Sequence, residues 1–368
     1  MNRNYYKLFA CCMPVRGYVR SAIYDIQRRD YCFVPNDLCD ILLNNKGVSL
    51  NELKHKYPED VIEDYFAYML DEEICFICDR DDLELFPELD TQWHIPFEFE
   101  TAIIDFKQST FQLLDKIVDE LNTYAIPNVQ IRIFEAINKE QLLELISKFS
   151  ESKIKYIGFV LSNCFQKEFV NQIVKNNTKI GLFVLTDSLK KEIRNIEQAT
   201  IFETPEKISS HIQCGLIQEE QFTIETRSYC ESIQFNSCLN CKLGIDINGN
   251  IKNCPSMSES FGNIENTSIE EAIKHPEFKK YWSISKDKIE VCKDCEYRHM
   301  CTDCRAYLKQ ANNIYSQPAK CNYNPYIAKW KGEEGYIAVE ECGFYNEAGN
   351  FVLDKEKVDS YNLELWGE

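Results

Sequence analysis

Apolar and polar positions divide the chain into three stretches of different rhythm. Residues 5–35 read as two strands around a turn at Arg16-Gly17, with an apolar run over 8–13 and loose alternation over 21–34. Pro35-Asn36-Asp37 opens a short helix carrying Leu38, Ile41 and Leu42, and Gly47 stops it. Ser49-x-x-Glu52 predicts a capping box on a second helix. A third helix starts near Pro58, with Ile62, Phe66, Met69 and Leu70 on one face at helical spacing. Residues 74–78 close the unit as a strand. The pattern over residues 1–80 is that of a winged helix.

A linker with an aromatic anchor at Trp93 leads into a second rhythm. Residues 102–106, 129–134, 153–161, 179–185 and 199–202 read as strands. Residues 111–124, 139–150, 165–176 and 188–196 read as the helices between them. Such βα units predict a parallel sheet or a partial barrel over residues 81–228. The strand ends offer Asp105, Glu135, Ser162, Asn163, Thr186 and Asp187, with no glycine-rich phosphate loop and no Cys/His pair. Acidic residues at strand ends are common, so Asp105 and Glu135 are not assigned as catalytic. The fold class is therefore α/β with a distinct N-terminal unit and a cysteine-rich C-terminal region.

Charge narrows the partners. With 41 basic against 59 acidic residues, the net charge of −18 repels nucleic acid and anionic lipid. The third helix of a winged helix would ordinarily read DNA, but here it is surrounded by Glu59, Asp60, Glu63, Asp64, Asp71, Glu72 and Glu73. No apolar run approaches the roughly 18 residues that would span a bilayer, and no secretory signal opens the chain. The expectation is a cytoplasmic protein whose partners are peptides or proteins.

The third stretch carries the chemistry. Nine of the eighteen cysteines fall between Cys230 and Cys321, and none lies between Cys78 and Cys164. Cys238, Cys241 and Cys254 form C-x2-C-x12-C, and Cys292, Cys295, Cys301, Cys304 and Cys321 form C-x2-C-x5-C-x2-C-x16-C. Thiolates so close in sequence repel one another and oxidise readily unless a soft metal holds them. Eight suit two four-cysteine sites, read as iron–sulfur clusters. Zinc is the rival, although zinc ribbons separate their knuckles by roughly 15–20 residues, whereas five separate Cys295 from Cys301. His299 lies in the loop but is surplus to eight thiolates. Cys11 with Cys12, and Cys75 with Cys78, are expected to face opposite ways on strands as core or surface thiols. Asn248-Gly249-Asn250 predicts a hairpin that returns Cys254 beside Cys238 and Cys241. Residues 305–310 read as a helix after the last knuckle, and Cys342 as a free thiol.

Cys238-x10-Gly249-x4-Cys254, the knuckle and Cys321 resemble the SPASM domain, which carries auxiliary clusters in radical SAM peptide-modifying enzymes. That resemblance implies one 4Fe–4S cluster on Cys238, Cys241, Cys254 and Cys304, and another on Cys292, Cys295, Cys301 and Cys321. One departure is visible: the family has three residues before the last knuckle cysteine, and only Thr302 and Asp303 intervene here. Residues 63–70, 85–90 and 101–105 resemble the SPASM peptide maturases of grasp-with-spasm systems, whose N-terminal unit captures precursor leaders and whose partner is an ATP-grasp ligase. A radical SAM enzyme needs C-x3-C-x2-C after the first barrel strand. The matching segment here, Asp105-Phe106-Lys107-Gln108-Ser109-Thr110, contains no cysteine.

The resemblance thus implies a leader-recognition-like domain at 1–80, a degenerate radical-SAM-like partial barrel at 81–228, a SPASM domain at 229–334 and a tail at 335–368. It implies a maturation factor for a ribosomally synthesised peptide, with no catalytic residue of its own. The alternatives are a redox enzyme using its clusters on the peptide, or a zinc-stabilised scaffold. An extended leader would add to an edge strand beside the third helix, with Tyr65, Phe66 and Met69 lining the groove. Arg16, Arg20, Arg28 and Arg29 would favour an acidic leader. A homodimer through the same edge is the competing use.

Overall fold

The computed structural model describes residues 4–54 and 56–367. The N-terminal stretch forms four strands rather than two: β1 (Asn4–Leu8), β2 (Cys12–Val15), β3 (Ser21–Asp25) and β4 (Asp30–Val34). Two turns without glycine or proline account for the difference. One is closed by the Cys12 amide donating to the Phe9 carbonyl at 2.9 Å. The other folds on the Asp25 carboxylate, which accepts from the amides of Gln27 and Arg28 at 3.0 and 2.8 Å, with Arg29 at φ +65°. Helices α1 (Asn36–Leu43), α2 (Leu50–Leu53) and α3 (Glu59–Asp71) follow, and then β5 (Cys75–Asp79). The capping box at α2 does not form; the Tyr5 hydroxyl instead donates to Glu52 at 2.9 Å.

β2, β3 and β4 make a three-stranded meander, while β1 pairs antiparallel with β5 as a separate ribbon. One face of the meander packs Ile23 and Val34 against Leu38, Ile41, Ile62, Phe66 and Met69. Its other face packs Ala22 and Tyr24 against Tyr297, Met300 and Tyr323 of the cysteine-rich region. The turn before β2 also corrects one expectation. The Cys11 and Cys12 thiols do not face opposite ways; their sulfurs and an Asp25 oxygen lie within 4.8 Å of one another.

The middle stretch builds β6 (Thr101–Phe106), α4 (Leu114–Thr123), β7 (Asn128–Ile133), α5 (Lys139–Glu151), β8 (Tyr156–Ser162), α6 (Lys167–Asn176) and β9 (Ile180–Thr186). These four strands are parallel. The expected helix over 188–196 is absent. That segment gives β10 (Glu192–Ile196), hairpinned onto β11 (Ala199–Glu203) through Glu197 at φ +50°. Its half-buried alternation suits an edge strand, and the Arg194–Glu203 ion pair at 2.6 Å ties the hairpin together.

After α7 (Thr226–Ser232), β12 (Lys242–Ile245) and β13 (Ile251–Lys252) join the same sheet, whose order is β10-β11-β9-β8-β7-β6-β12-β13. The hairpin turn predicted around Gly249 is present, with Gly249 at φ +80°. Alternate residues such as Ile104, Ile131, Phe159 and Phe183 join the apolar core with Leu121, Leu145 and Phe149 of the helices. The other face carries Asp105 and Arg132, a buried bidentate pair at 2.6 and 2.9 Å. Asp105 is thus committed to Arg132, and Glu135 accepts from the Gln108 amide at 3.0 Å.

The C-terminal region has little regular structure. It contains α8 (Ile269–Ile273), capped by Ser268, then β14 (Tyr323–Asn324), β15 (Lys329–Trp330), β16 (Gly343–Tyr345), β17 (Phe351–Leu353) and α9 (Lys355–Trp366). Residues 305–310 are not helical. The buried Arg305 guanidinium donates to the carbonyls of Ile314 and Ser316, at 3.1 and 2.7 Å, and folds the segment back on itself. Among the described residues, no helix is long and apolar enough to cross a membrane.

Candidate metal centres

Cys292, Cys295, Cys301 and Cys321 line one cavity. Val291, at φ +69°, turns the chain so that Cys292 and Cys295 follow in a single 3-10 turn, closed by the Cys295 amide on the Cys292 carbonyl at 3.0 Å. The Cys301 amide donates to the Tyr297 carbonyl at 3.0 Å, which brings the second knuckle back over the first. Phe222, Tyr297, Tyr323 and Trp330 wall the cavity. Tyr297 and Tyr323 meet edge-to-face with centroids 4.9 Å apart. Burial pushes the Cys292 thiol up to about 12, against the pull of Lys286, and pushes Cys295 well above its ordinary value. Such thiols stay protonated without metal; a bound metal reverses this by taking the thiolate.

Lys286 is buried, and its Nζ lies 2.7 Å from the Cys301 sulfur. Burial disfavours its charged form, but Cys301, Cys292 and Asp303 outweigh that effect and hold the ammonium above its ordinary value. An ammonium placed here balances thiolate charge in a site walled from water. Sequence reading passed over Lys286 because lysines are almost always solvated.

The other group, first in sequence, gathers near Lys242 of β12 and Arg132 of β7, on the polar face of the large sheet. Burial and the neighbouring charges of Cys254, Cys304 and Cys214 push the Cys238 thiol up to about 12, while Lys242 pulls the other way. Lys242, at the start of β12, places its Nζ 3.6 Å from the Cys238 sulfur. Each group therefore has its own lysine. Cys241 lies apart: its sulfur is 3.5 Å from the Asn240 side-chain oxygen, and Glu231, Lys279 and Glu98 are the charges around it.

Asp303 lies between Cys301 and Cys304 in sequence, stands near Cys292 and Cys301, and reaches Cys238 through Asn236. It is fully buried, pairs with Arg305 at 2.6 Å and accepts from Asn236 at 2.5 Å. His299 is buried beside Ser232 and Asp287, which keeps it in the supporting structure.

Tetrahedral zinc, with Zn–S near 2.3 Å, holds its sulfurs about 3.8 Å apart. Among the described residues, Cys11, Cys12 and Asp25 are the group of three or more with ligand atoms within 4.8 Å. The cysteines of the C-terminal region are candidate ligands of an iron–sulfur group. The donor set fits such a group: soft thiolates, a buried compensating cation and an apolar wall.

The residues expected to receive a peptide are placed differently from one another. Phe66 and Met69 are core, and Tyr65 is partly buried against the same core. Arg28 pairs with Asp25 at 3.2 Å and Glu73 at 3.1 Å, and Arg29 approaches Glu225 at 3.7 Å. Arg16 pairs with Asp40 at 2.7 Å and Arg20 with Glu296 at 2.8 Å. All four arginines already face carboxylates.

Comparison with known proteins adds one assignment. Residues 235–296 match the SPASM iron-sulfur cluster-binding domain. This match includes Cys238, Cys241, Cys254, Cys292 and Cys295; Cys301, Cys304 and Cys321 lie beyond it. Among solved structures, that of Streptococcus suis SuiB bound to S-adenosylmethionine is similar at 10% identity and a TM-score of 0.38, covering 85% of this chain and 98% of that one. No curated protein matches.

Proposed function

We propose that the chain is a maturation factor for a ribosomally synthesised peptide, capturing the precursor leader at its N-terminal unit and acting with an ATP-grasp ligase. Two 4Fe–4S clusters would be held by the cysteine-rich region. The observation that carries this reading is the shared core between the N-terminal meander and the site of Cys292, Cys295, Cys301 and Cys321. The Tyr24 hydroxyl donates to the Glu296 carbonyl, Arg20 pairs with the buried Glu296, and the Arg298 guanidinium donates to the Arg16 carbonyl at 2.5 Å. A peptide held by the first unit would lie against the second.

β4 is an edge strand, so its outer backbone groups are available to an added strand. Tyr68, exposed on α3, reaches the Cys32 side chain of β4 and stands over that edge. Because Arg16, Arg20, Arg28 and Arg29 are paired internally, main-chain bonds and Tyr68 would supply the affinity, with charge a minor contributor. Co-expression of precursor and ligase with and without this chain tests the reading: the modified peptide mass is expected only with it. Tyr68→Ala in the full chain is expected to weaken leader binding about tenfold, or about 1.4 kcal/mol. Stability should change by no more than about 0.5 kcal/mol. Unchanged affinity would place leader capture elsewhere.

A redox role on the peptide is the second reading. Lys242 and Lys286 favour it, since a buried cation beside thiolates sets the cost of adding an electron there.

A further inference from the structure

We propose that Cys214, rather than Cys241, completes the first cysteine site with Cys238, Cys254 and Cys304. The inference depends on the cysteine-rich region being a metal centre and deepens that reading. Cys214 lies on the connection between the large sheet and α7, far from either knuckle in sequence. Three contacts strap this connection across the site. The Tyr307 hydroxyl donates to the His211 carbonyl at 2.9 Å, Lys320 Nζ donates to the Cys214 carbonyl at 2.6 Å, and Ile217 bridges Cys321 in parallel.

The next residue makes the approach feasible. Gly215 adopts φ +83°, and a Cβ there would stand 2.9 Å from the Cys304 sulfur. Only glycine allows both the left-handed backbone and so close a pass. Cys214 shares its neighbourhood with Cys238, Cys254 and Cys304, and the cations facing that cluster are Lys242 and Arg132.

Cys241 has the opposite surroundings. At φ +50° it turns into β12, and its carbonyl accepts from the Glu100 amide at 2.7 Å. Its thiol faces Glu231, Lys279 and Glu98 rather than the other cysteines.

The test uses the full chain purified anaerobically, unchanged and as Cys214→Ala and Cys241→Ala. Cys214→Ala is expected to lower iron and labile sulfide by about four each, or to alter the low-temperature EPR signal of the reduced sample. Cys241→Ala should match the unchanged chain in both. The reverse result, a change in both variants, or a change in neither would overturn the assignment. A measurement needing no substitution runs alongside: iodoacetamide should label Cys241 in the metal-loaded chain and Cys214 only after chelation. Labelling of Cys214 with metal bound overturns it. Zinc without sulfide in the unchanged chain would defeat the iron–sulfur reading alone, and the same variants would then decide the ligand by loss of one zinc ion.

Discussion

Asp303→Ala is expected to lower stability by about 3–5 kcal/mol and to reduce metal at both cysteine groups. Removing one partner of a buried ion pair leaves the other charge uncompensated, and that penalty sets the magnitude. Here the stranded group is the fully buried Arg305 guanidinium, whose carboxylate partner sits at 2.6 Å. Asn236 loses its acceptor as well, and its own side-chain oxygen organises the amides of Cys238 and Leu239 at 3.1 and 2.9 Å. Cys301 lines one cavity, Cys304 stands near Cys254 and Cys214, and Asp303 lies between them in sequence, so its shift disturbs both groups. Trp330 in the wall of the second site offers a fluorescence readout. A denaturation midpoint and metal content equal to those of the unchanged chain would contradict the role given to Asp303.

The second large effect is electrical. Lys286→Met, measured on the iron-loaded chain, is expected to lower the reduction potential of the site it adjoins by roughly 100 mV. A unit charge about 6 Å from the added electron, at an effective dielectric of about 20, is worth roughly 2–3 kcal/mol, and 59 mV corresponds to a tenfold change for one electron. The sign follows from charge: the ammonium 2.7 Å from the Cys301 sulfur favours the more negative, reduced form, so its removal makes reduction harder. Lys286→Arg should restore most of the shift. A potential unchanged in Lys286→Met would remove the lysine from any redox account and leave it a structural counter-ion.

Sequence and structure agree most where one physical signal dominates. The βα alternation was legible because core strands such as 157–161 are continuous apolar runs and α4, α5 and α6 keep a clean apolar face. The knuckle was legible because closely spaced cysteines have few other uses, and its resemblance to the SPASM domain agrees with the match over 235–296. Signals failed where a turn lacked glycine or proline. Arg29 and Glu197 adopt positive φ without being glycine, which hid β3–β4 and the β10–β11 hairpin. Residues 305–310 read as a helix, but Arg305 buries its charge on Asp303 and two carbonyls and breaks it. Cys214 stands outside any short cysteine spacing, and only the fold carries it to the others.

Determining iron and acid-labile sulfide on one anaerobically purified sample of the unchanged chain tests the central claim most directly. The account predicts about eight of each per chain, as two four-iron sites require. One or two zinc ions with no labile sulfide would contradict it.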